Sequence, residues 1–251
     1  MSQTFEERIA ELNQRIKDSQ RIVFFSGAGV STESGIPDFR SKDGLYNQKD
    51  VRFENYRPEY LLSKNCLQNE PNVFFEFYRQ KLDCRGIEPN VTHRKMAELE
   101  QAGKDVCVVT QNIDGLHQKA GSKKVCEIHG TTERNYCDQC AAEYDANYIF
   151  ESNTDIPVCP ECGGTVRPDV TLYGEGLPHE AWVDAMQAIH KADLVVVCGT
   201  SLTVYPAASM LDFIPYSKIV IVNRDETKYD RRAALVFHES LGEVFSQIEV
   251  E

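Results

Sequence analysis

The sequence predicts an α/β fold, in which a doubly wound parallel sheet carries a smaller domain built from a zinc ribbon and helices. Three observations lead to this prediction: short continuous apolar runs, helical patterns between several of them, and two Cys-x2-Cys pairs within a polar segment. The chain has 251 residues and is 41% hydrophobic, which is enough for one large and one small core.

Short β-branched runs recur along the chain and predict its strands. Most of them are continuously apolar rather than alternating, which is typical of parallel strands buried on both faces. The predicted strands are "RIVFFSG" (21–27), "VCVVTQN" (106–112), "VTLYGE" (170–175), "LVVVCGT" (194–200) and "KIVIVN" (218–223), with weaker candidates at "KVCEIHG" (124–130) and "AALVFH" (233–238).

Amphipathic patterns predict helices at the N-terminus and between several strands. The N-terminal segment has an apolar stripe at helical spacing and lacks the apolar core of a signal peptide. This stripe consists of Phe5, Ile9, Leu12 and Ile16. Residues 92–103 and 179–192 are also helical in pattern, with Thr92 and Gly103 in capping positions. No stretch approaches the roughly 18 apolar residues of a membrane span.

Four of the nine cysteines have the spacing of a structural metal site. Two Cys-x2-Cys knuckles separated by eighteen residues predict a zinc ribbon, because each knuckle offers two thiolates to one tetrahedral ion. The ligands are Cys137, Cys140, Cys159 and Cys162. Such a closed site leaves no coordination role for the nearby His129. The other cysteines are expected to be small buried hydrophobes (Cys107, Cys126, Cys198) or incidental thiols in polar surroundings (Cys66, Cys84).

Two insertions interrupt the strand–helix alternation and predict a second domain beside the sheet. The large domain is expected to contain residues 1–45, 92–130 and 168–251. The small domain is expected to contain residues 46–91, which are polar and aromatic with a helix near their middle, and residues 131–167, which carry the zinc ligands. A cleft between two domains is a natural ligand site.

Residues suited to chemistry follow almost every predicted strand. Ligands of open parallel sheets bind outside the carboxyl ends of the strands, so these clusters should converge in space. They are "SGAGVSTESGIPDFRS" (26–41), "TQNIDGLHQKAG" (110–121), "EIHGTT" (127–132), "CGTSLTVYPA" (198–207) and "VNRDE" (222–226).

Each cluster also has a simpler interpretation. The glycines after the first strand suit a dinucleotide phosphate, but Thr32 breaks the G-x-G-x-x-G pattern, so a tight turn is an alternative. Asn112 and Asp114 suit sugar hydroxyls or a carboxamide, or act only as caps of a turn. His129, with an ordinary pKa near ~6.5, suits a general base, although a lone histidine is more often structural. His117 is expected to serve locally on a helix.

Taken in order, the motifs resemble those of the sirtuins, the NAD-dependent protein lysine deacylases. The matching segments are "GAGVSTESGIPDFRS", "TQNIDGLH", "IHG", the two cysteine pairs, "PDVTLYGE" and "GTSLTVYP", within about residues 21–225. This resemblance implies a Rossmann-type large domain and a small zinc-plus-helical domain, with NAD in the cleft between them. It also accounts for the broken glycine pattern, because sirtuins bind NAD in their own way.

The resemblance implies three sets of functional residues. The catalytic set is His129, Asn112 and Asp114. The NAD-binding set is Gly27, Ala28, Gly29, Asp38, Phe39, Arg40, Gln111, Asn112, Ile113, Asp114, Gly199, Thr200, Ser201, Asn223 and Arg224. The set for an acyl-lysine protein or peptide is Tyr78, Lys81, Val170, Tyr173, Gly174, Glu175 and Val204.

The reaction that the resemblance implies is not a simple hydrolysis. The acyl-lysine carbonyl oxygen attacks the ribose carbon that nicotinamide leaves. Because this oxygen is a weak nucleophile, its alignment with the ribose carbon is the main source of catalysis. His129 then acts as a base on a ribose hydroxyl. The products are free lysine, nicotinamide and 2′-O-acyl-ADP-ribose. The substrate peptide is implied to add as a strand between the domains.

The acyl preference depends on two positions. Sirtuins that favour succinyl and malonyl groups carry Tyr-x-x-Arg where this chain has Tyr78-x-x-Lys81. Lysine offers a point charge rather than a bidentate fork, so we expect acetyl to be preferred. Ordinary packing or solvent exposure of these two side chains is the alternative.

The same features bear on alternative functions, on binding partners and on the location of the protein. A protein ADP-ribosyltransferase would share the cofactor and the departure of nicotinamide, and a non-enzymatic NAD-binding module would share the fold. The catalytic set argues against the module. The net charge of −12 argues against nucleic-acid and anionic-membrane partners. We expect a cytoplasmic monomer.

Overall fold

The computed structural model describes residues 3–48 and 50–250. In chain order its strands are β1 (Arg21–Ser26), β2 (Asp105–Thr110), β3 (Val125–Glu127), β4 (Gly130–Cys137), β5 (Glu143–Asp145), β6 (Val166–Val170), β7 (Leu194–Cys198), β8 (Ile219–Val222) and β9 (Leu235–Phe237). Its helices are α1 (Phe5–Asp18), α2 (Pro58–Leu61), α3 (Lys64–Asn69), α4 (Pro71–Lys81), α5 (Val91–Gln101), α6 (Leu116–Lys119), α7 (Ala146–Phe150), α8 (His179–Lys191) and α9 (Leu241–Phe245).

Six strands form a parallel sheet in the order β3-β2-β1-β7-β8-β9. Counted within this sheet alone, the order is the 3-2-1-4-5-6 arrangement of a Rossmann-type domain. The strand order reverses between β1 and β7, and ligands of such sheets bind at the carboxyl ends on either side of that point. The predicted fold class is confirmed.

Helices cover both faces of this sheet. Alternate residues of β1 point to opposite sides, so Phe24 packs in one core and Phe25 in the other. The first core lies under α1, α5 and α9, and the second lies under α8 and the 3₁₀ segment Ala207–Phe213. The predicted N-terminal stripe is confirmed, because Leu12 and Ile16 are buried in the first core while Phe5 and Ile9 pack against it.

A second, antiparallel sheet has the order β5-β4-β6. It shares a third core with helices α2, α3 and α4, so the two insertions form one small unit. Cys66 is fully buried in this core, and the expectation that it is incidental in polar surroundings is therefore wrong. Strands β4 and β6 extend past residues 131 and 167, and the predicted domain boundaries stay a prediction.

Two local predictions are wrong. The run at 170–175 is not a strand of the parallel sheet: β6 ends at Val170, and Gly174 turns the chain with φ of 90°. The cap of α5 is Asn90 rather than Thr92, because the Asn90 side chain accepts the hydrogen bond of the Thr92 amide. In the part of the chain that the structure describes, no helix is long and apolar enough to cross a membrane.

Candidate functional site

The turns after β1 and β7 pack directly against each other at the point where the strand order reverses. A Cβ atom on Gly27 would lie 2.7 Å from Thr200 Cβ, and one on Gly29 would lie 2.8 Å from Gly199 Cα. Any side chain at these glycines would force the two turns apart. The single 3₁₀ turn Ala28–Val30 therefore lies close against the loop after β7, with Ala28 and Gly29 partly exposed, at the position where such sheets bind a dinucleotide.

A buried polar network lies beside this turn. Ser31 Oγ donates to Asp114 Oδ2 at 2.6 Å, and Asn112 Nδ2 donates to Ser31 Oγ at 3.1 Å. Asn112 and Asp114 are each 8% exposed, and Ser31 is 1% exposed. The structure thus brings together two of the predicted catalytic residues through a serine that the sequence analysis did not single out.

The Asp114 carboxyl is held firmly although its burial is unfavourable for a charge. Burial raises its pKa, while the hydrogen bonds from Ser31 and from the Leu116 amide oppose that effect. The turn-capping alternative is partly correct, because the bond to Leu116 does cap the start of α6. The other carboxyl oxygen, Oδ2, is held by Ser31 on the side of the glycine turn.

His129 follows β3, and a single contact fixes its tautomer. Its Nδ1 lies 3.0 Å from the backbone oxygen of Gln111, and a carbonyl oxygen can only accept a hydrogen bond. Nδ1 therefore carries the proton, and Nε2 is the nitrogen with a free lone pair. Burial lowers the pKa of His129, and the Gln111 bond opposes that effect. The residue is consequently a neutral base at pH 7.

The backbone around His129 is locked to β6. Its carbonyl oxygen accepts a hydrogen bond from the Thr171 amide at 2.9 Å. The next residue, Gly130, has φ of 75°, and a Cβ atom there would lie 2.0 Å from the Asp169 carbonyl oxygen. Only glycine fits this close approach, so the position of the imidazole is set by the small sheet as well as by the large one.

Gln111 and the segment after β7 form another side of the site. Gln111 Nε2 donates to Thr200 Oγ1 at 3.2 Å, which links the loops after β2 and β7. Ser201 is exposed, and its hydroxyl contacts that of Thr203 at 2.8 Å. The Ile113 carbonyl oxygen accepts from the Thr132 amide, which anchors the neighbouring loop to β4.

Asn223 and Arg224 lie farther along the same edge of the sheet, after β8. Asn223 Nδ2 donates to the Asp225 carbonyl oxygen at 2.8 Å, and its own carbonyl oxygen accepts from His238 Nδ1. Arg224 is exposed. These contacts hold the Asn223 loop in shape and leave Arg224 at the surface.

The predicted acid, aromatic and guanidinium (Asp38, Phe39 and Arg40) make contacts within the 38–47 loop and with Tyr173. Asp38 Oδ1 accepts from the amides of Arg40 and Ser41, which is a bond within its own loop. Arg40 donates to Tyr173 Oη at 3.1 Å, and Tyr46 Oη lies 3.1 Å from the same atom. Phe39 packs edge-on against the Tyr46 ring. The loop is therefore fastened to the residues that follow β6.

Part of the backbone of the segment after β6 is already hydrogen-bonded. The Tyr173 amide donates to the Leu62 carbonyl oxygen, and the Tyr173 carbonyl oxygen accepts from the Lys64 amide. Glu175 forms a two-pronged ion pair with Arg167 at 2.6 and 3.0 Å, so its carboxylate shapes this turn. Of the other predicted substrate residues, Gly174 is exposed, Val204 is half-buried and Val170 is buried.

Tyr78 and Lys81 have different surroundings in this structure. Tyr78 is fully buried in the third core, where its ring stacks between Phe74 and Phe150. Lys81 Nζ lies 3.7 Å from Asp50 Oδ2 and 3.3 Å from the Gln48 side-chain oxygen. These contacts match the packing alternative for Tyr78 and leave the lysine with its own carboxylate partner.

The four predicted metal ligands come together at the far end of β4. Their sulfur atoms all lie within 4.8 Å of one another, which fits one tetrahedral ion. Both knuckles have the same backbone bonds: Cys137 bonds with Ala141 and Ala142 as Cys159 does with Gly163 and Gly164. Since β4 has eight residues, about 3.3 Å each, the cluster lies roughly 25 Å from His129. It is a structural site.

His117 lies on α6, as expected, but its contacts reach far beyond that helix. It is 1% exposed, and its Nε2 lies 3.0 Å from Ser26 Oγ at the end of β1. Its ring lies 4.8 Å from that of His93, whose Nε2 approaches Ser31 Oγ at 3.5 Å. Burial lowers the pKa of both histidines, to about 4 for His93, so both are neutral supports beneath the site.

Comparison with known proteins identifies the same arrangement elsewhere. The model of the Sir2 family matches residues 27–206. An NAD-dependent protein deacetylase of Clostridium acetobutylicum is 47% identical over 242 residues, which are 96% of this chain and 98% of that protein. One of Cutibacterium acnes, named in the same way, is 48% identical over 240 residues, with 95% and 96% covered.

Solved structures agree with this likeness. A Sir2 protein bound to an acetylated peptide superposes with a TM-score of 0.85 at 33% identity, covering 95% of this chain and 96% of that one. A Sir2 protein with a p53 peptide and NAD+ superposes with a TM-score of 0.83 at 36% identity and the same coverage.

Proposed function

Because this chain belongs to the Sir2 family, we propose that it is an NAD-dependent protein lysine deacetylase. It transfers the acyl group of a lysine side chain to the ADP-ribose part of NAD, and with one water the products are free lysine, nicotinamide and 2′-O-acyl-ADP-ribose. The observation that carries the proposal is the neutral His129, whose Nδ1 proton is held by the Gln111 carbonyl. Its Nε2 is free to accept a proton, and Gln111, which holds its other nitrogen, is followed directly by Asn112 of the buried Ser31 network.

NAD fits the residues at the carboxyl edge of the large sheet. When bound, NAD supplies a ribose carbon that loses nicotinamide and accepts the acyl oxygen of the substrate. The glycine turn after β1, in which Ala28 and Gly29 are partly exposed, suits the approach of its phosphates. The residues proposed to hold it are Gly27, Ala28, Gly29, Asp38, Phe39, Arg40, Gln111, Asn112, Ile113, Asp114, Gly199, Thr200, Ser201, Asn223 and Arg224.

The Ser31 network is proposed to hold the nicotinamide end. Ser31 bonds to both Asn112 and Asp114, so neither side chain can rotate without breaking a buried hydrogen bond. This gives a fixed set of polar atoms that can orient the ribose and the carboxamide with little loss of entropy. Asn112 and Asp114 are therefore proposed as catalytic partners of His129.

The 38–47 loop is proposed to cover the reacting ribose. In this structure Arg40 and Tyr46 tie the loop to the Tyr173 hydroxyl at the surface. Exposed hydrogen bonds of this kind contribute about 1 kcal/mol or less, so the loop can exchange them for contacts with ligands. Phe39 would then exclude water from the reacting carbon.

The substrate peptide is proposed to lie as an added strand between Gly174 and Val204. Tyr173 already pairs with Leu62 and Lys64, so the exposed backbone at Gly174 is the part left for a partner. Recognition through backbone atoms would tolerate many peptide sequences. We further propose a cytoplasmic monomer without nucleic-acid or membrane partners, which the charge of −12 supports.

The acyl preference gives a direct prediction. Lys81 is paired with Asp50, and Tyr78 is buried, so neither is available to bind an acidic acyl group. We expect kcat/KM for an acetyl peptide to exceed that for the matched succinyl peptide by about tenfold or more, since a missing charge pair costs about 1.4 kcal/mol or more. Mass spectrometry of one peptide with both groups measures this, and comparable efficiencies would contradict it.

The pH profile gives a second prediction. Burial lowers the pKa of His129 below 6.5, and the neutral form is the active base. More than half of the activity should therefore remain at pH 6.5, and the loss should be centred below that pH. The acid limb of kcat/KM for NAD should have its midpoint below pH 6.5, with protein fluorescence checked at each pH to exclude unfolding. A midpoint above that value would show that His129 is not the titrating base.

The function itself is tested with NAD labelled in its ADP-ribose part. With an acetylated peptide, the label should leave the enzyme as acyl-ADP-ribose, and the peptide should lose its acetyl group only when NAD is present. Label that stays on protein would indicate an ADP-ribosyltransferase. NAD that binds and is recovered intact would indicate a binding module.

A further inference from the structure

Two cysteines that the proposed reaction does not use lie side by side on neighbouring strands. Cys107 is in β2 and Cys126 in β3, and their sulfur atoms are 3.7 Å apart. The register pairs Val109 with Cys126, and Cys107 precedes Val109 by two residues, so both thiols point to the same face of the sheet. The expectation that they are separate small hydrophobes misses this pairing.

The thiol pair is accessible and lies away from the catalytic edge. Both cysteines are half-buried and line a cavity of about 370 Å³. The same cavity is lined by Arg21 and Asp105, which are the first residues of β1 and β2. The proposed NAD site follows the last residues of these strands, so the cavity opens nearer the opposite edge of the sheet.

The sulfur atoms are close enough for one ion to bridge them. With metal–sulfur bonds of about 2.3 Å, two thiolates lie about 3.8 Å apart at a tetrahedral angle and about 4.6 Å apart when they are the only two ligands, in a line. In the zinc ribbon, the pairs Cys137–Cys162 and Cys140–Cys159 are 3.4 and 3.6 Å apart. The Cys107–Cys126 pair at 3.7 Å therefore needs to open by about 1 Å to hold a two-coordinate ion, which rotation of the two side chains can supply.

The strand geometry disfavours a direct disulfide. Cys107 and Cys126 are offset by two residues across adjacent strands, so their Cα atoms are expected roughly 8 Å apart. A disulfide requires Cα atoms closer than about 7 Å, so the backbones of β2 and β3 would have to move. A bridging ion needs only rotation of the two side chains.

The chemistry of the pair favours a soft cation. In the part of the chain that the structure describes, only the zinc ribbon assembles three or more potential ligands, so this site offers two protein donors. Two thiolates without harder ligands suit Cu(I), whereas structural zinc takes four ligands. The hydrogen bond between the two thiols lowers the pKa of Cys126 and raises that of Cys107, so a cation that displaces both protons must bind thiolates strongly, as Cu(I) does.

We propose that Cys107 and Cys126 form a second metal site, which binds one soft cation of the Cu(I) type as a bridge between their sulfur atoms. Binding displaces the thiol protons to solvent and involves no change in oxidation state. The bridge joins β2, which leads to Gln111 and Asn112, to β3, which leads to His129.

The test is an anaerobic Cu(I) titration of the zinc-loaded protein against a competing chromogenic chelator. We expect one equivalent of Cu(I) to bind with zinc retained, and X-ray absorption to show two sulfur neighbours. The Cys107→Ser and Cys126→Ser variants should each lose this equivalent. The Cys84→Ser variant, which removes a thiol elsewhere, should keep it. Zinc content and thermal melting show that each variant is folded.

Several results would overturn the proposal. Equal Cu(I) binding by the wild type and either folded variant would place the ion elsewhere. Release of one zinc for each Cu(I) bound would assign it to the ribbon. A Cys107–Cys126 disulfide that forms readily in the folded protein with diamide, a dithiol oxidant, would contradict the bridging geometry. Should one variant fail to fold, the other variant and the absorption spectrum of the wild type still decide.

Discussion

A His129→Ala variant is expected to lose deacetylation by about 10²- to 10⁴-fold in kcat, the range that a positioned general base contributes. The loss is expected because Nε2 of His129 is free to accept a proton while its other ring nitrogen is hydrogen-bonded to the Gln111 carbonyl. The base is proposed to act after nicotinamide leaves, so the exchange of labelled nicotinamide into NAD should survive the substitution. Liquid chromatography of both reactions on the same preparation measures the two steps.

His190→Ala is the matched control, because His190 is an exposed histidine in the last turn of α8, before the start of β7, whereas the proposed NAD residues follow the end of β7. It should keep full activity in both reactions. A His129→Ala variant that deacetylates at the wild-type rate would refute the role of His129 as a base. If the folded His129→Ala variant still binds NAD but loses both nicotinamide exchange and deacetylation, His129 would act in the first step instead.

Loss of the metal should cost activity through loss of structure. Cys137 and Cys159 are buried in the third core, which also contains residues of α4. A metal bound to these two cysteines therefore stabilises that core. Structural zinc contributes about 10–16 kcal/mol to the folding of small zinc modules. A Cys159→Ser variant should therefore bind less than one zinc and lose activity about tenfold or more, while the two cores of the large sheet keep much of its secondary structure.

The measurements are zinc content, circular dichroism and deacetylation of the same sample. Cys84→Ser, a change of a cysteine outside the cluster, should keep its zinc and its activity. Full activity in a Cys159→Ser protein that contains no zinc would show that the metal does not support the site. That result would leave the proposal for His129 unaffected.

The parts that could be predicted from sequence are those with local signals. Continuous apolar runs marked the strands of the large sheet, and polar residues at their ends marked Asn112, Asp114 and His129. Two cysteine knuckles at a fixed spacing marked the metal cluster, because each knuckle is a local turn. The run at 170–175 was misassigned because an apolar stretch does not reveal that Gly174 turns the chain.

The parts that could not be predicted depend on contacts distant in sequence. Ser31 became part of the site because a glycine turn places it against Asp114, 83 residues later. Tyr78 is buried because Phe74 and Phe150 enclose its ring, and the second of these lies in the other insertion. The pairing of Cys107 with Cys126 depends on the register of two strands, which no local pattern records.

The most direct test of the account is the stoichiometry of a single reaction. The zinc-loaded enzyme is incubated with NAD and one acetylated peptide, and four species are quantified over time by mass spectrometry. The account predicts that each peptide deacetylated consumes one NAD and yields one nicotinamide and one acetyl-ADP-ribose. Release of free acetate in step with deacetylation, with NAD unchanged, would contradict it.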